Sequence, residues 1–158
     1  MIEWPDPLPA RSVIVDANVL LLLVVGRADP DRIARFKRTA NQGFSSLHYN
    51  VLNALLKESA QIVATPNLLT ETSNLLPSEL HDQLRQLVDE LIELYVPSRR
   101  VTAEDWFDHL GLADASIIDA AANTASTVIT VDVALLNQLV WLGLPVANFH
   151  QVVAAVSA

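Results

Sequence analysis

Two of the most apolar stretches of the chain are built alike: a β-branched run, one aspartate, then a helical run. They read Val13-Ile14-Val15-Asp16 followed by ANVLLLLVVG, and Thr127-Val128-Ile129-Thr130-Val131-Asp132 followed by VALL. Short β-branched runs of this kind suit strands buried on both faces. A strand that feeds directly into a helix builds a parallel sheet, because the helix carries the chain back to where the next strand must start. Each aspartate then falls at the carboxyl end of a strand, the edge of an open α/β sheet where active sites gather. A lone carboxylate in such apolar surroundings is costly to desolvate unless something compensates its charge.

The rest of the chain continues the alternation. Residues 1–11, with three prolines, read as an arm without regular structure. Gly26 is expected to stop the first helix, and Asp29-Pro30 to cap a second. On that second helix Arg32, Arg35 and Arg38 would form a basic ridge, with Ile33 and Phe36 on another face. Ser45 to Ser59 reads as a core helix through Leu47, Val51, Leu52, Leu55 and Leu56. Gln61 to Ala64 is a short strand, and Thr65-Pro66 opens a helix that carries Glu71.

Pro77 to Tyr95 traces an amphipathic helix through Leu80, Leu84, Leu87, Val88, Leu91 and Ile92. Val96 to Val101 is expected to be a connector or short strand, and Thr102 to His109 a short helix broken by Gly111. Asp114 then opens a helix rich in alanine and isoleucine. Ala134 to Leu142 forms a helix closed by Gly143, and Leu144 to Ala147 a last strand before a terminal helix. The pattern predicts a three-layer α/β/α sandwich around a mostly parallel central sheet, as a single domain over 12–158.

Composition excludes several classes. With 158 residues, 51% of them hydrophobic, the chain can bury one real core but not two ordinary ones. It has no cysteine, which rules out disulfides and thiolate metal sites. The first residues have neither a basic start nor an apolar core, and no apolar run approaches the ~20 residues that span a bilayer. A soluble, cytoplasmic protein without a membrane partner is expected. The net charge of −8 opposes binding to polyanions. Arg27 to Arg38 holds five basic residues against two acidic, locally +3, which leaves the remainder at −11. That asymmetry allows a basic edge on an acidic body.

Asp16, Glu71, Asp114 and Asp132 come from four different elements, and only the carboxyl edge of the sheet can bring them together. Clustered carboxylates repel and shift one another's titration unless a cation or a proton lies between them. Mg2+ or Mn2+, which favour carboxylate and water oxygens, would supply that charge.

These residues and their flanks resemble the PIN-domain nucleases over nearly the whole chain, from Val13 to Phe149. VIVDANVLL is similar to that family's first strand and acid, PNLLTETSNL to its helix glutamate, LGLADASIIDAA to its third acid and VITVDVALL to its fourth. GLPVANF is similar to its last strand. The resemblance implies that Asp16, Glu71, Asp114 and Asp132 hold one or two Mg2+ or Mn2+ ions and that the chain hydrolyses RNA through metal-activated water. It also implies that Asn18 and Thr130 orient carboxylates or metal waters. An antitoxin protein is a further implied partner, because many members are toxins of toxin–antitoxin pairs. The resemblance and the alanine-rich C-terminal segment together suggest a homodimer.

Duller explanations compete with each residue. Asp16, Asp114 and Asp132 can cap helices, and a glutamate within a helix is usually just solvated. Asp119, five residues after Asp114, lies about 140° around the helix from it and should point elsewhere unless it serves a more distant second metal. The histidines at 48, 81, 109 and 150 show no paired ligand spacing, and Trp106 and Phe107 suit core packing better than base stacking. Arg32, Arg35 and Arg38 are candidate RNA contacts against the plainer reading of a solvated helix face. The alternatives for the whole chain are a catalytically weak PIN-like regulator that binds RNA or protein, and a phosphatase-like hydrolase. The latter ordinarily wants a second acid two residues after its nucleophilic aspartate, where this chain has Asn18.

Overall fold

The computed structural model describes residues 1–158. The chain enters a parallel sheet at β1 (Ser12–Val15), whose four residues are all buried, and passes into α1 (Ala17–Ala28). A 3-10 turn (Pro30–Arg32), α2 (Lys37–Asn41) and α3 (Ser46–Glu58) lead to β2 (Gln61–Ala64). Then follow α4 (Pro66–Leu75), a second 3-10 turn (Ser78–Leu80), α5 (His81–Glu90) and β3 (Ile92–Glu93). The chain next forms α6 (Ser98–Thr102), α7 (Phe107–Thr124), β4 (Thr127–Thr130) and α8 (Val133–Trp141). It closes with β5 (Val146–Asn148) and α9 (Phe149–Val156).

All strands run parallel in the order β3-β2-β1-β4-β5. The chain builds outward from β1 to β3, then returns past β1 to add β4 and β5. Because strand–helix–strand crossovers keep one hand, this reversal puts the two sets of connecting helices on opposite faces. Accordingly α1 packs with α3, α4 and α5, while α7 lies on β1, β2 and β4 beside α8. The architecture is the α/β/α sandwich expected from the sequence, with β1 and β4 fully buried at its centre. One continuous core of buried apolar residues reaches from Leu8 to Val153, so the chain packs as a unit. The arm has no helix or strand, yet Leu8 is buried in that core and the Trp4 indole donates to Glu58 at 2.8 Å. No helix is long and apolar enough to cross a membrane.

Several local expectations fail for physical reasons. Gly26 does not stop α1, which continues to Ala28. Instead the Tyr49 ring of α3 packs against Gly26, where any Cβ would overlap it. Asp29 does cap the next turn, its side chain accepting from Asp31 N–H at 3.0 Å, but only a 3-10 turn follows. Arg32, Arg35 and Arg38 therefore share no helical ridge. Leu47, assigned above to the core face of α3, is 47% exposed near its first turn.

The helix assigned to Pro77–Tyr95 ends at Glu90. Leu91 turns extended, and Ile92 and Glu93 pair with Val63 and Ala64, with Leu94 N–H donating to Ala64 at 2.8 Å. The free backbone edge of β2 is satisfied at the cost of leaving Ile92 46% exposed. Ser98 to Thr102 is helical rather than a connector, and Thr102 ends that helix instead of capping the next.

Candidate acidic active site

The reversal of strand order falls between β1 and β4, and in open α/β sheets the crevice beyond that point is where ligands bind. Asp16 and Asp132 stand just past the ends of these two strands. Both cap the helices that follow: Asp16 Oδ1 accepts from Val19 N–H at 2.9 Å, and Asp132 Oδ1 accepts from Leu135 N–H at 3.0 Å. Capping therefore operates at both positions, and it leaves the second oxygen of each carboxylate for other work.

At Asp16 that second oxygen is held from the neighbouring strand. Oδ2 accepts from the Thr130 hydroxyl and from Val131 N–H at 3.0 Å. The Thr130 oxygen in turn accepts from Asp132 N–H at 2.9 Å, which ties the two strand-end aspartates together. Asp16 is 2% exposed, and burial raises its carboxyl above the usual range although these bonds pull it down. The nearby charge of Asp132 raises it further.

Glu71 and Asp114 arrive on helices that meet at the same edge. α4 touches both α1 and α7, which belong to opposite layers, so it lies across the end of the sheet. The buried Thr65 and Ser116 hydroxyls, 2.7 Å apart, join α4 to α7. Ser116 donates its proton to Ala113 at 2.6 Å, so Thr65 donates to Ser116 while accepting from Leu68 N–H. The sequence reading missed this link, although Thr65 before Pro66 and a serine in an alanine-rich helix were its visible signals. Asp114 sits in the turn after Gly111, whose φ of 81° and ψ of 176° break α7 and start its second part.

Three of the four acids are raised in the folded chain. The Asp114 carboxyl is pushed up to about 7, first by burial and then by the charges of Asp132, Asp16 and Glu71. Glu71 is raised by partial burial and by Asp16 and Asp132. None of the five ion pairs in the protein includes any of these acids. As they stand, no three acidic or histidine side chains are arranged to share one ion.

The donor set fits a hard cation. It offers only carboxylate oxygens: Asp16 spends three of its about four lone-pair sites, Asp132 one, and Glu71 and Asp114 none on hydrogen bonds.

Of the other candidates, Asn18 stays close to Asp16 and the rest lie elsewhere. Asn18 is half-buried in the first turn of α1 and makes no side-chain hydrogen bond. Asp119 is bound by Arg100 through Nε at 2.9 Å and Nη2 at 2.7 Å, away from the four acids. Arg32 pairs with Glu79 at 2.8 Å, and Arg35 lies 3.9 Å from Asp29. Arg38 pairs with no acid. All three follow α1, whose 12 residues lead away from Asp16 by about 18 Å.

His48 and His150, dismissed on spacing, meet in space with Nε2 and Nδ1 3.4 Å apart. Their separation of 102 residues left no sequence signal. No protein-family model matches this chain, and no curated protein matches it.

Proposed function

We propose that the chain is a PIN-like, Mg2+- or Mn2+-dependent endoribonuclease with Asp16, Glu71, Asp114 and Asp132 as its metal-holding and catalytic acids. One observation carries this reading: at the topological switch point Asp16, Glu71 and Asp114 are raised by burial and by the charge of neighbouring acids, Asp132 among them, while every ion pair lies elsewhere. Such an arrangement destabilises the fold unless a ligand draws on it.

A bound Mg2+ or Mn2+ would supply Lewis-acid polarisation of the phosphoryl group, a more acidic water and stabilisation of the leaving oxygen. The residues have separable tasks. Asp16, fixed by three hydrogen bonds, is the rigid reference for the site. Asp132 is fixed on one oxygen by its helix and presents the other. Glu71 and Asp114, free of hydrogen bonds, can turn inward, and Asp114 can release its proton near neutrality as positive charge arrives. Thr130 sets the direction of Asp16 and acts on chemistry only through it. RNA as the substrate follows from the resemblance to PIN-domain nucleases.

The test is incubation of the wild type and Asp16→Asn with a mixed RNA pool, with and without Mn2+. Cleavage by the wild type that needs Mn2+ and vanishes in Asp16→Asn is expected. Undiminished cleavage by folded Asp16→Asn removes the assignment.

A further inference from the structure

Along the helix that carries Asp114, α6, α7 and the turn after α8 enclose a half-open cavity of about 270 Å³. Its walls are mostly apolar, including Ile118 and Leu142, and Trp106 forms one side. Two carboxylates reach it. Both bonds from Arg100 land on Oδ2 of Asp119, so Asp119 Oδ1 stays free. Glu104, on the same lining, takes part in no ion pair and no side-chain hydrogen bond. The single cation of the lining, Arg100, is already spent on Asp119.

Trp106 also borders a second groove, lined by Asp105, His109, Gln138 and Trp141. Trp141 is 79% exposed. Large apolar side chains this exposed, next to a concave wall, mark a surface that another molecule covers. Indole faces beside uncompensated carboxylates select a positive charge on an apolar stem, because the ring face and the anion both attract it.

We propose that this cleft docks a basic segment of a partner protein, inserting an arginine or lysine flanked by apolar residues. The guanidinium or ammonium meets Asp119 Oδ1 and Glu104 against Trp106, and the flanking apolar side chains cover Trp141. The Arg100–Asp119 bond survives, since the incoming group uses the other oxygen. Binding there requires no chemistry at the acid site, so loss of nuclease activity and loss of docking are independent outcomes.

The test follows indole N–H signals in 15N–1H spectra while titrating the blocked peptide acetyl-Ala-Leu-Arg-Leu-Ala-amide into the full chain. Of the three tryptophans, Trp106 and Trp141 should shift saturably and Trp4, on the arm, should not. Glu104→Gln, an exposed substitution that leaves the fold intact, should weaken binding about threefold, and added salt should weaken it too. The same peptide with glutamate for arginine should not bind. Absence of saturable shifts, equal affinity in Glu104→Gln, or binding of the glutamate peptide overturns the proposal. Spermidine binding at least as tightly as the peptide also overturns it, assigning the cleft to a free amine.

Discussion

The hydroxyl of Thr130, at the end of β4, donates to the buried carboxylate of Asp16, at the end of β1. It joins the two strands at the point where the chain reverses its direction of sheet building. Thr130→Val keeps the shape and removes both the donor to Asp16 and the acceptor for Asp132 N–H. Leaving these groups short of a partner should cost about 1–3 kcal/mol in chemical denaturation and reduce cleavage. Thr130→Ser should restore most of both; failure of the serine variant to do so would mean that the hydroxyl is incidental.

Asp114 gives a pH dependence with a definite sign. Its carboxyl is raised from 3.8 to about 7 in the folded chain, so the folded state holds that proton more tightly than the unfolded state. The contribution to stability is complete below the unfolded value and is lost as pH rises through about 7. Metal-free protein should therefore weaken on titration from mildly acidic to mildly alkaline pH. Asp114→Asn should remove much of that loss, a gain of about 1–2 kcal/mol at alkaline pH after allowing for solvent screening.

Mn2+ should oppose the same loss. Because protons compete with the ion for carboxylates, the rise in Tm on adding Mn2+ should be larger above neutral pH than below it. Asp16→Asn should abolish most of the rise. A Tm indifferent to Mn2+ at every pH would argue against a cation at these acids.

The histidine pair runs the other way. Ser45 N–H donates to His48 Nδ1 at 3.2 Å, which keeps the proton of neutral His48 on Nε2, facing His150 Nδ1. A second proton on either ring has no acceptor within the pair. Burial, followed by the charge of His150, lowers the protonation of His48, so its stabilising contribution is present above the ordinary histidine range and is lost as pH falls through it. His150→Gln should make unfolding less sensitive to acid between about pH 7 and pH 5.5, measured against the wild type.

Gly26→Ala would ordinarily strengthen a helix by about 1 kcal/mol. Here the Tyr49 ring occupies the space, so the substitution should instead destabilise by about 1–2 kcal/mol. In a Tyr49→Ala background the sign should revert, which thermal denaturation of the double variant checks.

The fold was legible where chemistry is local and repeated. Strand–Asp–helix at 13–17 and 127–133 announced the parallel sheet, and the caps at Asp16, Thr65 and Asp132 are formed as their sequence suggested. Errors arose where a distant partner decided the outcome. Gly26 reads as a stop signal until Tyr49 is seen against it, and Ile92 reads as helical until the edge of β2 claims it. At the acid site the residue types were visible in the chain, but the bonds that hold Asp16 were not, because two come from residues more than a hundred positions away. The arginine ridge failed because its helix never forms, and Arg32 is occupied by Glu79.

The left-handed turn at Gly111 also bears on how this chain can change over time. A Cβ at Gly111 would meet nothing within 4 Å, so the requirement for glycine there is one of backbone handedness, not of room. Asp114 takes its place from that turn and from the Thr65–Ser116 link, not from the helical turns before it. Substitutions at the exposed positions between Ala103 and His109 would therefore alter the outer surface while leaving the acid in register, provided that Trp106, Phe107 and Leu110 stay on the core. The break works as a firebreak, separating a face free to diversify from a centre that must stay still.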